Sequence, residues 1–112
     1  MGFFDFFKQP DIHQGVTDYR NTPEAVLLDV RTPQEYREGH IPGSKNLPLQ
    51  TIDKVTSITE NKDTALFVYC YSGARSRQAT AMLQHMGYTN VVEFGGIIDW
   101  PGETETNEGG PL

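Results

Sequence analysis

"FVYCYSGARSRQATAMLQHMGY", residues 67–88, runs from a short apolar segment through a small polar loop into an amphipathic stretch, and the only cysteine of the chain, Cys70, stands at the first junction. The apolar segment is too short for a buried helix and is rich in β-branched and aromatic residues, which predicts a strand covered on both faces. Ser72, Gly73 and Ala74 permit a tight turn. The spacing of Ala79, Met82, Leu83 and Met86 then predicts one apolar helix stripe, with Gly87 placed to end the helix. Strand, loop and helix in that order are the unit of an open α/β sheet. Such sheets bind ligands beyond the carboxyl ends of their strands.

Working outward, "AVLLDV" at 25–30 and "ALFVY" at 65–69 read as central strands, and "NVVEF" at 90–94 as a third. Thr32, Pro33 and Glu35 have the chemistry of a helix start: a hydroxyl cap, a proline in the first turn and a carboxylate three residues on. Gly39 and Pro42-Gly43 keep that helix short. Ile52, Val55 and Ile58 predict another short helix before the cysteine strand. Alternating strands and helices of these lengths predict an α/β domain with a mostly parallel sheet.

With 112 residues the chain is long enough for one core and not for two. Its formal net charge of −6, with scattered Lys and Arg, argues against a nucleic-acid surface. A lone cysteine makes no internal disulfide, and no Cys/His spacing points to a metal; both favour a reducing, cytoplasmic setting. No apolar stretch reaches the length of a membrane span, and "MGFFDFFKQP" lacks the form of a secretory signal. Phe3, Phe4, Phe6 and Phe7 are expected to fold back over the domain, the alternative being a short anchor for a membrane or partner.

The loop after Cys70 carries the chemistry. Tyr71, Ser72, Gly73, Ala74 and Arg75 can curl so that backbone N–H groups and the positive end of the following helix converge on the sulfur, an arrangement that favours a thiolate. A buried, inert packing cysteine is the plainer alternative. Asp29 and Arg31 can steer an anion or hold the loop, or form a structural ion pair. Glu35 suits the helix start or a pairing with an arginine such as Arg75. His40 reads as a turn residue that fixes its loop by hydrogen bonds, because a thiolate so stabilised needs no base. His13 and His85 read as surface positions, and Trp100 as a large residue closing the core.

Three stretches resemble the rhodanese family: "LLDVRTPQEYREGHIPGSKNLPL" at 27–49, "VYCYSGARS" at 68–76 and "FGGIIDW" at 94–100. The resemblance covers residues 12–101, leaving an aromatic segment at 1–11 and an acidic tail at 102–112 expected to be flexible. It implies a doubly wound sheet of about five strands with helices on both faces. It also implies sulfurtransferase activity, with Cys70 carrying sulfur as a persulfide between a small-molecule sulfur donor and a thiol or cyanide acceptor. A sulfur-accepting protein is a further partner class, and neither a metal nor an organic cofactor is called for. Cysteine phosphatases and arsenate reductases are the competing enzymes, but the phosphatase loop places five residues between Cys and Arg, where this chain has Tyr71 to Ala74 alone. The competing non-enzyme is a partner-binding module with a silent site. Thiosulfate-using rhodaneses tend to place basic side chains where this chain has Ser72 and Glu35, so the resemblance implies weak use of thiosulfate.

Overall fold

The computed structural model describes residues 11–106, so the expectations for the Phe cluster and for residues 107–112 lie outside the described residues. The chain forms helix α1 (Ile12–Arg20), strand β1 (Val26–Asp29), helix α2 (Pro33–Glu38), strand β2 (Lys45–Asn46) and a 3-10 helix (Leu49–Ser57). Strand β3 (Leu66–Cys70), helix α3 (Ala74–His85), strand β4 (Val91–Gly96) and a 3-10 turn (Ile97–Asp99) complete it. The sheet is parallel with order β2-β1-β3-β4, four strands among the described residues where about five were expected.

The expected continuous apolar strands sort by period-2 alternation onto two covered faces. Leu28, Leu66, Val68 and Cys70 face a core shared with Ile52 and Val55 of the first 3-10 helix and Ala79 and Leu83 of α3. Leu27, Phe67, Tyr69 and Phe94 face a second core with Ile12 and Val16 of α1 and Ile41. Full burial of each such side chain stabilises the fold by roughly 1.5–3 kcal/mol. Trp100 packs half-buried against this second core and donates its indole N–H to the Glu103 carbonyl.

One expectation is corrected. Met82 is not part of the buried stripe: it is an exposed large apolar side chain, because α3 turns Ala79 and Leu83 inward and leaves position 82 outside that arc. The short helix expected around Ile52 and Val55 forms as a 3-10 helix, kinked at Thr51. At the start of the acidic tail, the Glu105 backbone pairs with His40 in both directions at 2.8 and 2.9 Å. Helix α2 forms as its sequence predicts. Thr32 accepts from the Glu35 N–H while the Glu35 carboxylate accepts from the Thr32 N–H, a reciprocal cap behind Pro33. Among the described residues no helix is long and apolar enough to cross a membrane.

Candidate active site

Cys70 is the last residue of β3, and α3 begins four residues later, so the sulfur sits between a strand end and a helix start. Gly73 caps α3 at φ 113°, a left-handed conformation that glycine adopts without strain. In that conformation its N–H donates to Cys70 Sγ at 2.9 Å. The loop is tight enough to need a second glycine. At Gly96, paired with Cys70 across the sheet, a Cβ would overlap the Tyr71 carbonyl and Ser72 Cα. Tyr71 and Ser72 are exposed and Ala74 opens the helix; of the loop's backbone N–H groups, the Gly73 N–H is the one that donates to the sulfur among the hydrogen bonds of the described residues. Cys70 itself is buried.

Two residues outside the expected set complete the surroundings of the sulfur. Ser76, fully buried in the first turn of α3, brings its Oγ to 3.4 Å from Cys70 Sγ. It donates to Glu93 Oε2 at 2.6 Å, and the same carboxylate oxygen accepts the Gly95 N–H at 2.8 Å. Glu93 is only 8% exposed. A β-bulge aims it. From Val68↔Glu93 to Cys70↔Gly96, β3 advances two residues while β4 advances three, with Gly95 at φ 103°. The signal available in sequence was a lone acid inside an otherwise apolar strand, two residues before Gly95-Gly96.

The expected supporting residues fall into two ion pairs. Arg31 holds the fully buried Asp29 through Nε and Nη2, at 3.0 and 2.6 Å, and also donates to the Gly39 carbonyl at 2.7 Å. Burial works against the Arg31 charge, but hydrogen bonding and attraction to Asp29 outweigh it and raise the guanidinium's pKa. Arg75 donates to Glu35 through Nη1 and Nη2, at 2.7 and 3.0 Å. The hydrogen bond from Arg75 takes the Glu35 carboxyl down to about 2 against its partial burial, assisted by the Thr32 N–H. Glu35 therefore serves both the helix cap and the arginine. Arg77, exposed on α3, lies over Gly73 and has no ion pair among the described residues.

Depressions flank the loop. One, of about 330 Å³, is lined by Arg31, Glu35, Glu38, Gly39, Tyr71 and Ile97; another, of about 430 Å³, includes Ser72, Gly95, Gly96, His13 and Asp99. His40 is buried, stacks on Tyr36 at 3.7 Å and hydrogen-bonds the Tyr36 carbonyl through Nδ1 at 2.7 Å, as a turn-fixing histidine should. His13 and His85 are exposed.

The chain is 42% identical over 82 residues to a sulfurtransferase of Allochromatium vinosum, covering 71% of this chain and 75% of that one. It is 37% identical to the thiosulfate sulfurtransferase PspE of Escherichia coli, covering 64% and 70%. A solution structure of the rhodanese-like domain of the Anabaena protein Alr3790 superposes with a TM-score of 0.76 at 27% identity, covering 93% of this chain and 83% of that one. The rhodanese-like domain model matches residues 13–102. A parallel sheet wound on both faces, a cysteine at the head of α3 and a sequence match across nearly all the described residues lead to one assignment: the chain belongs to the rhodanese-like family.

Proposed function

We propose that the protein is a sulfurtransferase that carries sulfur as a persulfide on Cys70. The observation that carries this reading is the sulfur's position: Sγ takes the Gly73 N–H at 2.9 Å at the N-terminus of a twelve-residue helix, where negative charge is stabilised. The thiolate attacks the outer sulfur of a donor. A new S–S bond forms, and the donor's remainder leaves with the electrons of the broken bond. A thiol or cyanide acceptor, or a sulfur-accepting protein, then takes the terminal sulfur and returns Cys70 to the thiolate. With no second cysteine, release is intermolecular.

Charge at the mouth favours persulfide or polysulfide donors over thiosulfate. Arg31 and Arg75 are each engaged by a carboxylate, and Ser72 offers no cation. Among the described residues Arg77 is the remaining cation beside the loop, set against Gly73 and exposed on α3. A missing cation at a partly desolvated site costs a dianionic donor about 1–3 kcal/mol.

Intact-protein mass spectrometry after incubation with a polysulfide tests the chemistry. The protein should gain one sulfur that cyanide or thiol removes, and Cys70→Ser should gain none while keeping its circular dichroism. A sulfur retained by Cys70→Ser would overturn the reading. Steady-state rates test the donor class: thiosulfate turnover should be slow and should rise on Ser72→Lys.

A further inference from the structure

Glu93 is a buried carboxylate that the two displacements above leave unused. Its place is unusual because Ser76, its partner, also touches the reacting sulfur. The distances form a chain: Cys70 Sγ to Ser76 Oγ at 3.4 Å, then Ser76 Oγ to Glu93 Oε2 at 2.6 Å. Ser76 Oγ has a single hydrogen and several acceptors within reach, including the Gly73 carbonyl at 3.0 Å and the Gly95 carbonyl at 3.4 Å. It can therefore give its proton in only one direction at a time.

Two arrangements satisfy the chain. In one, the Cys70 thiol donates to Ser76 and Ser76 donates to the Glu93 carboxylate. In the other, a neutral Glu93 carboxyl donates to Ser76 and Ser76 donates to the Cys70 thiolate. Both hold the same number of protons and use the same two contacts with the polarity reversed. The Gly95 N–H to Oε2 fixes the carboxylate in either state.

We propose that Ser76 and Glu93 form a proton relay that takes the proton from Cys70 when the sulfur attacks and returns it when the sulfur leaves. The Sγ–H bond breaks and its proton passes to Ser76 Oγ; the hydroxyl proton of Ser76 passes to Glu93 Oε2. The thiolate then attacks the donor sulfur. In the second half, the acceptor takes the terminal sulfur, Cys70 departs as thiolate, and the same two protons move back. No oxidant or reductant is required. Ser76 touches the reacting atom and is a catalytic residue, whereas Glu93 acts through it and is a positioning residue. The role in turnover rests on the sulfur-transfer reading, while the relay itself concerns only the proton of Cys70.

Other charges face this chain from neighbouring elements. Arg75 on α3 is attracted to Cys70 and tied to Glu35 of α2, Arg77 lies over Gly73, and Asp29 of β1 acts on Arg75 from beyond its own partner. None bridges Ser76 and Glu93 among the hydrogen bonds of the described residues.

The test is the pH dependence of Cys70 alkylation by iodoacetamide, a small neutral reagent, with no sulfur donor present. A relay lets the thiolate form without losing a proton to solvent. The full-length wild type should therefore show two rises in rate with pH, separated by a level stretch. Glu93→Gln cannot accept the proton and should show a single rise, climbing about tenfold per pH unit below its midpoint. Ser76→Ala cuts the relay while leaving the carboxylate, and should also show a single rise. If Glu93→Gln does not fold by circular dichroism, Ser76→Ala decides. A single rise in the wild type, or two rises surviving in a folded variant, would overturn the relay. Because alkylation needs no sulfur chemistry, a two-rise profile in a protein that never loads sulfur would support the relay and sink only the sulfurtransferase reading.

Discussion

Asp29, at the carboxyl end of β1, and Glu93, within β4, are buried carboxylates on the two strands that flank β3, and the molecule treats them in opposite ways. Asp29 is closed off. Arg31 reaches it with backbone N–H and guanidinium together, and the guanidinium is held in turn by the Gly39 carbonyl. Glu93 has no ion pair among the described residues and meets only a hydroxyl and one backbone N–H. A carboxylate locked to arginine has no use for a proton; one bound to a hydroxyl can take one. The sheet thus places an arginine-paired carboxylate at the end of β1 and a hydroxyl-bonded one within β4, on either side of β3.

The comparison breaks most easily at the fixed pair. Asp29→Ala strands a buried guanidinium, and denaturant unfolding should show a loss of about 3–5 kcal/mol. Glu93→Gln keeps hydrogen-bonding atoms in place and removes no partner from a buried cation. Its cost in the same measurement should be about 1 kcal/mol, even as the alkylation profile changes shape. Equal losses for the two variants would show that both carboxylates are structural.

The smallest effect belongs to the half-exposed pair of Glu35 and Arg75. The folded-state pKa of Glu35, about 2, lies below its ordinary value of 4.5. Its contribution to stability is present above that ordinary value and is lost as pH falls towards 2. Solvent screening keeps the contribution modest. Wild type should therefore lose slightly more stability than Glu35→Gln on going from pH 5 to pH 2.5, by matched denaturant titrations. Parallel losses would show that neither Arg75 nor the Thr32 N–H favours the charged form of Glu35.

What the sequence revealed depended on whether a residue's environment was local. The strands at 26–29 and 66–70 follow from continuous apolar runs, and the cap from Thr32 to Glu35 lies within one turn. The pairing of Glu35 with an arginine such as Arg75 was legible as well, because both lie in segments that must meet at the strand ends. Met82 was misread because helical spacing gives the angle of a face but not the width of the surface it meets. β2, two residues long, has no periodicity to read. Ser76 and Glu93 were missed because they lie 17 residues apart and meet only through the bulge in β4.

That bulge makes the site depend on a count. Side chains in a strand alternate between faces, so each added or removed residue exchanges inside for outside. The extra residue between Glu93 and Gly96 lets the acid and the glycine both meet their partners despite odd spacing. Deleting one residue there would restore regular two-for-two pairing and remove the bulge that brings the Ser76 hydroxyl and the Gly95 N–H onto the same Glu93 oxygen. The surroundings of the sulfur therefore depend on the length of this strand as well as on its residue types at 93 and 96.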